Sequence, residues 1–351
     1  MMKLTGLDID MDSAWKVSLG EAKVELDSGA RQKMQASRDY IEKALKAGQV
    51  IYGVNTGFGA LSSVKISDGD IQQLQKNLIR SHSAGVGQPF TVEETRAIMF
   101  LRANALARGH SGIRPVVVER ILEFLNNNLI PVVPQQGSVG ASGDLAPLAH
   151  LALALIGEGE LWEGGKPVAA GALLKKKNVQ PLTLEAKEGL SLINGCQVMT
   201  AVGLLNSYKA RRLLWLSDLA GAMSLEALRG SRGAFDPLIA ATRPHPGEAK
   251  TARNILKLLG PTSPIAASHE NCGKVQDAYS LRCMPAVHGA AKDALKHVVN
   301  VLETEANSST DNPLVFSNEG KVLSCGNFHG EPVAFVLDYM AIATSASASI
   351  S

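Results

Sequence analysis

Apolar positions recur at helical spacing over most of this chain. Met34, Ile41, Ala44 and Leu45 form a stripe that predicts a helix ending at Gly48. Val117, Ile121 and Leu125 form another, with Pro115 in the first turn, where a missing N–H costs nothing. Between Gln197 and Arg229 there is no proline, and glycine occurs only at Gly203 and Gly221. That run predicts one helix of about 30 residues, roughly 45 Å long. Val287, Ala291, Leu295, Val298 and Leu302 predict a second long helix. Candidate strands are short, at 50–52 and 161–168, the latter with Gly164-Gly165 as a hairpin turn. The pattern predicts a mainly α chain. A loop-rich, glycine-rich N-terminal domain would cover 1–193, and a core bundle of long helices 194–351.

Composition narrows this only a little. Of 351 residues 45% are hydrophobic and 19% charged, which suits a globular chain with a sizeable core. A formal charge of +2 gives no electrostatic reason to expect nucleic acid or an anionic membrane as partner. Cys196, Cys272, Cys283 and Cys325 lie far apart without a C-x-x-C pair. This argues against a zinc site or a disulfide framework and fits a reducing cytoplasm. No H-E-x-x-H occurs and no G-x-G-x-x-G follows a strand, so neither a metal nor a nucleotide cofactor is expected. The N-terminus is too acidic for a signal peptide. The stretch 332–350 is mostly apolar, but Asp338 and its many Ser, Thr and Ala residues favour a helix buried in protein over a membrane span. That helix meets no stop signal before Ser351, which suggests a chain cut in mid-helix.

The run from Gly137 to Pro147 carries the most chemistry. It could be a glycine-rich loop opening a helix, with Asp144 as N-cap. A phosphate loop is excluded by the absence of a Lys after the last glycine. A third reading concerns Ala141-Ser142-Gly143. The unshielded nitrogen of Gly143 can reach the Ala141 carbonyl carbon if the turn is tight. Closure expels one water, and loss of the Ser142 hydroxyl with its α-proton expels a second. The product is 4-methylideneimidazol-5-one, a strong electrophile.

The segment G-S-V-G-A-S-G-D-L-A-P-L-A-H, Gly137 to His150, resembles the prosthetic-group segment of the aromatic amino-acid ammonia-lyases. Other blocks follow in the family's order. Tyr52-Gly53-Val54-Asn55-Thr56-Gly57-Phe58-Gly59 resembles its mobile tyrosine loop, and Leu192-Ile193-Asn194-Gly195 its asparagine motif. Gln276 to Cys283, Asp311-Asn312-Pro313-Leu314 and Gly326-Asn327-Phe328-His329 also match. The resemblance implies a helical-bundle fold like that of fumarase and aspartase, and a homotetramer with active sites shared among subunits.

It also implies roles for residues. Ala141, Ser142 and Gly143 would form the prosthetic ring. Tyr52 would be the general base, on a loop that Gly53, Gly57 and Gly59 let open and close. A phenol needs nearby positive charge or hydrogen bonds to act as a base near neutrality. Tyr279 would be a second catalytic hydroxyl. Arg282 would clamp the substrate carboxylate through two parallel N–H bonds. Asn194 would hold the carboxylate or the prosthetic carbonyl, and Gln276 and Phe328 would line the pocket. Ser81-His82 occupies the family's side-chain selectivity positions, and a Ser-His pair there implies L-histidine as substrate and trans-urocanate as product. Cys196 departs from the usual Thr.

Two alternatives stand beside this. A tyrosine or phenylalanine ammonia-lyase, or an aminomutase, would share every block except the selectivity pair. A catalytically inactive helical scaffold is the reading from another class, because the family continues for roughly another third beyond this chain. That part carries a glutamate expected near the imidazole.

Overall fold

The computed structural model describes residues 1–57, 59, 66–261, 263–269 and 273–351. Phe58 of the tyrosine loop and Cys272 lie outside the described residues. The fold is mainly helical with a few two-stranded ribbons, as the apolar spacing predicts. Residues divide into two compact units: Met1–Leu205 with Leu302–Ala334, and Asn206–Val301 with Phe335–Ser351. The division falls inside the long helix Gln197–Ala227, after the change from loops to long helices at Asn194.

In the first unit the helix Val92–Ala107 is buried on every side from Thr95 onward. It packs against the helices Met11–Ser18 and Pro115–Asn126. A capping box of Thr91 and Glu94 starts it. Its two buried arginines have polar partners. Arg96 donates to the carbonyls of Val17 and Leu125, which lie at the ends of the flanking helices. Arg102 serves the candidate site. The hairpin Glu160–Glu163 to Lys166–Ala169 turns at Gly164 and Gly165, both at positive φ (59° and 77°), the backbone that a two-residue hairpin turn requires.

The expected strand at 50–52 does not form. Asn55 Oδ1 accepts from the Ile51 N–H, and the Ile51 carbonyl accepts from the N–H groups of Val54 and Asn55. The backbone groups that a strand would pair are used in a local turn.

The second unit packs one core around Leu225, Phe235, Ile255 and Leu281 and another around Leu214 and Leu295. The helices Pro246–Leu259 and Met284–Ala306 touch backbone to backbone, because a Cβ on Gly289 would collide with the Glu248 nitrogen. The terminal helix Glu331–Ile350 corrects the expectation of a buried element. Only 17% of its apolar window is buried, and Phe335, Tyr339 and Ile342 are exposed. By length and composition alone it is long and apolar enough to cross a membrane.

Candidate active site

The short strand Pro134–Gln136 leads into a 3₁₀ turn over Gly140–Ser142. The Ser142 N–H donates to the Val139 carbonyl at 2.7 Å and the Gly143 N–H to the Gly140 carbonyl at 3.2 Å. Gly143 then takes φ +78°, a conformation L side chains avoid. A Cβ there would lie 2.8 Å from the Gly195 carbonyl oxygen and 3.0 Å from that of Phe328. Position 143 is closed to any side chain, while Ala141 and Ser142 are exposed.

Asp144 holds this turn in place, though not as its sequence position suggests. It stands at the N-cap of the helix Leu145–Leu155 but makes no side-chain cap bond there. Its carboxylate instead accepts from Ser138 Oγ at 2.6 Å and from the N–H groups of Val198 and Met199 at 2.7 and 3.1 Å. It therefore satisfies orphan donors in the first turn of a different helix, Gln197–Ala227. Burial pushes its pKa up to about 6, against the lowering effect of those bonds. Its backbone N–H donates to the Gly195 carbonyl at 2.7 Å. Gly330 N–H reaches the Gly140 carbonyl at 2.8 Å, and Cys196 Sγ donates to the Phe328 carbonyl at 3.0 Å. Three of the sequence blocks meet here: Ala141-Ser142-Gly143, Asn194-Gly195 and the segment around Phe328.

Beneath them lies a buried polar network. Asn194 Nδ2 donates to Asp311 Oδ1 at 3.2 Å and to the Asn312 carbonyl at 3.3 Å. Asp311 Oδ2 accepts from Lys187 Nζ at 2.7 Å and from Ser191 Oγ at 2.8 Å. The Arg102 guanidinium donates to the carbonyls of Asn194 and Ser191 and to Gln197 Oε1, at 2.8, 2.6 and 2.5 Å. Arg102, Lys187 and Asp311 are all at most 1% exposed. Burial alone would raise the Asp311 carboxyl, but the charges of Lys187 and Arg102 outweigh it and hold the group below the usual carboxylate range. Arg102 falls to about 10 through burial and stays charged at neutral pH.

His82 ends the helix Ile71–His82. Its Nδ1 lies 2.9 Å from the Leu78 carbonyl, which can only accept, so Nδ1 carries the hydrogen. In the neutral ring that makes Nε2 an acceptor. The chain then returns to the segment 137–150: Gly85 N–H donates to Nε2 of His150 at 3.1 Å, and a Cβ at Gly137 would lie 3.1 Å from the Gly85 Cα. Burial depresses His150, which favours the neutral, accepting imidazole.

The sequence profile of the family described as aromatic amino acid lyase matches residues 9–351. The chain belongs to the aromatic amino acid lyase family. It is a carbon–nitrogen lyase by that membership. Over 348 residues it is 47% identical to a histidine ammonia-lyase of Caldanaerobacter subterraneus subsp. tengcongensis, covering 99% of this chain and 68% of that one. It is 48% identical to one from Gloeobacter violaceus over the same shares of the two chains. Solved structures agree. Histidine ammonia-lyase from Trypanosoma cruzi superimposes with a TM-score of 0.90 at 40% identity, covering 99% of this chain and 65% of that one. Tyrosine aminomutase from Streptomyces globisporus gives 0.92 at 37%, with shares of 99% and 69%.

The remaining candidate residues of this lyase are spread more widely. Tyr52 is half-buried in the first unit, at the start of a turn whose residues Gly53 to Gly57 are buried. Gln276, Tyr279 and Arg282 belong to the second unit and are exposed, with the Arg282 guanidinium 5.8 Å from the centre of the Tyr279 ring. Sequence reasoning missed Lys187, Arg102 and Asp311 as members of the site. Asp311 stood in a matching block without a role. Arg102 had a readable signal, a cation inside an apolar helix that must find acceptors. Lys187 had none, because its burial is decided by the fold. Among the described residues no cluster of His, Cys, Asp or Glu could hold a metal ion.

Proposed function

We propose that this lyase eliminates ammonia from L-histidine to give trans-urocanate, using 4-methylideneimidazol-5-one formed from Ala141-Ser142-Gly143. The observation that carries this reading is the seat of Gly143: a left-handed glycine after a 3₁₀ turn, wedged against two carbonyl oxygens, beside an exposed Ser142. Those residues fit the group, since the turn compresses the segment and the nitrogen that must close the ring has no side chain beside it. When formed, the group supplies an electrophile that withdraws electrons from the substrate's amine or ring. The chain's own residues do the rest. Tyr52 takes the β-proton and Tyr279 provides a second hydroxyl. Arg282 pairs with the carboxylate, and Gln276 and Phe328 line the pocket with Asn194. His82 Nε2 accepts from the imidazole N–H, a partner that a phenyl side chain would leave unpaired.

The active form is a homotetramer in which Tyr52 and Tyr279 come from different chains, working in the cytoplasm. Exposed Leu213, Trp215, Leu216 and Met223 along one long helix support self-association.

Purified protein is assayed with L-histidine, L-tyrosine and L-phenylalanine, and its intact mass is compared with that of Ser142→Ala. The expected result is urocanate absorbance with histidine alone and a mass deficit of two waters, both abolished in Ser142→Ala. Turnover of tyrosine or phenylalanine instead would favour a tyrosine or phenylalanine ammonia-lyase or an aminomutase. Full mass without turnover would favour an inactive scaffold.

A further inference from the structure

The Lys187–Asp311 pair is an unusual investment for a core. Both side chains are withdrawn from water, at 0% and 2% exposure. Lys187 also sits at φ 71°, a left-handed backbone that a residue with a Cβ rarely adopts. Stability alone gives little reason to keep such a pair, since apolar residues of similar volume usually do as well or better. What the pair holds is more informative. Asp311 Oδ2 is occupied by Lys187 and Ser191, which turns Oδ1 toward Asn194 Nδ2 and the Asn312 N–H. The second hydrogen on Asn194 Nδ2 goes to the Asn312 carbonyl. Both partners of that nitrogen can only accept, so the amide has one permitted orientation. Arg102 fixes the same residue through its backbone carbonyl.

We infer that Lys187 and Asp311 are positioning residues that lock the Asn194 amide nitrogen inward and present its Oδ1 as an acceptor to the α-amino group of the substrate. This rests on the proposed reading of Ala141-Ser142-Gly143 and Asn194 as the active site. The carboxylate is then left to Arg282, because the Asn194 donors are already used. A carboxylate offered to Oδ1 would meet an acceptor, whereas an amine N–H meets its complement. The device separates the substrate's two polar groups: acceptor for the amine, guanidinium for the acid.

The test uses two competitive ligands. Histamine keeps the amine and lacks the carboxylate; imidazolepropionate keeps the carboxylate and lacks the amine. Inhibition constants are measured for the wild type, for Asp311→Asn, and for the double variant Lys187→Met with Asp311→Leu. The double variant replaces the ion pair by an apolar one and guards against misfolding. Intact mass and thermal unfolding accompany each protein. In both variants histamine is expected to bind about tenfold to a hundredfold more weakly, the range for one hydrogen bond to a charged group, with imidazolepropionate within about twofold of wild type. The kcat for histidine falls while the mass deficit of two waters persists. Equal loss for both ligands, loss for imidazolepropionate alone, or no change in either would overturn the assignment. A wild type that turns over no histidine overturns it together with the proposed function, whereas an active wild type with indifferent variants overturns this inference alone.

Discussion

Each unit of this protein buries an aspartate against a lysine, and the two clusters are built to different ends. In the first, Asp311 receives Lys187, Ser191 and Asn194, and the chain of bonds terminates on the side chain of a residue beside Ala141-Ser142-Gly143. In the second, Asp218 receives Lys292 at 2.6 and 2.7 Å, His288 Nδ1 at 3.1 Å and Asn254 at 2.7 Å, while Lys292 also reaches Thr251. Those partners come from the helices Gln197–Ala227, Pro246–Leu259 and Met284–Ala306, so the cluster ties three helices together. Every bond in it is helix to helix. Burial raises the Asp218 carboxyl, but the bonds from His288, Lys292 and Asn254 bring it below its ordinary value, as for Asp311. Burial, ion pairing and direction of shift are therefore alike in both units. What separates them is the last residue of the network.

Breaking the second cluster should give the largest effect on stability and none on the site. Asp218→Ala leaves Lys292, a lysine only partly open to water, without its counter-charge. A loss of about 3 kcal/mol in denaturant unfolding is expected, the low end of the range for a broken buried pair. The mass deficit of two waters that the proposed ring implies should survive. Loss of the deficit in a folded Asp218→Ala protein would erase the distinction between the clusters.

Asp144 sharpens the comparison through pH, because it lies beside the first cluster and shifts the opposite way. Its folded pKa of about 6 stands above the ordinary aspartate value of 3.8. The folded state therefore holds this proton more tightly than the unfolded one. The stabilisation is fully present below about pH 4 and disappears as pH rises through about 6. Asp144→Asn keeps an acceptor for Val198 and Met199 and removes the titration. The stability difference between wild type and Asp144→Asn should move against the wild type from pH 4 to 6.5, read from unfolding midpoints. A difference that is flat with pH would contradict the shift.

The smallest effect is expected from Asn254→Ala, which removes one of the donors to Asp218 and leaves Lys292 and His288 in place. About 1.5–3 kcal/mol is the range for a hydrogen bond to a charged group, and the low end is expected because the carboxylate stays paired. Unfolding midpoints measure it. A loss as large as that of Asp218→Ala would mean that the amide, rather than the ion pair, carries the helix junction.

Local pattern made much of the architecture legible. The helix expected over the run after Gln197 is Gln197–Ala227, the second long helix is Met284–Ala306, and Pro115 opens Pro115–Asn126 as its fixed φ allows. The Gly164-Gly165 hairpin was readable because both positions need positive φ. The short apolar run at 50–52 failed for a complementary reason: three residues carry too little periodicity to compete with an Asn55 side chain that closes a turn.

The site divides along the same line. Sequence alone determined where the candidate chemistry-bearing segments lie, because the proposed electrophile would form from three consecutive residues and the tyrosine, asparagine and arginine blocks are contiguous strings. It also marked Gly143, and it supplied Ser81-His82 as the expected selectivity pair. Tertiary structure decided which acceptors those residues meet. It moved the Asp144 carboxylate from its own helix to the start of another, buried Lys187 against a partner distant in the chain, and fixed the orientation of the Asn194 amide. The physical reason is that a hydrogen-bond donor is written in one residue, but its acceptor is supplied by whichever backbone or carboxylate the fold brings within 3 Å or so.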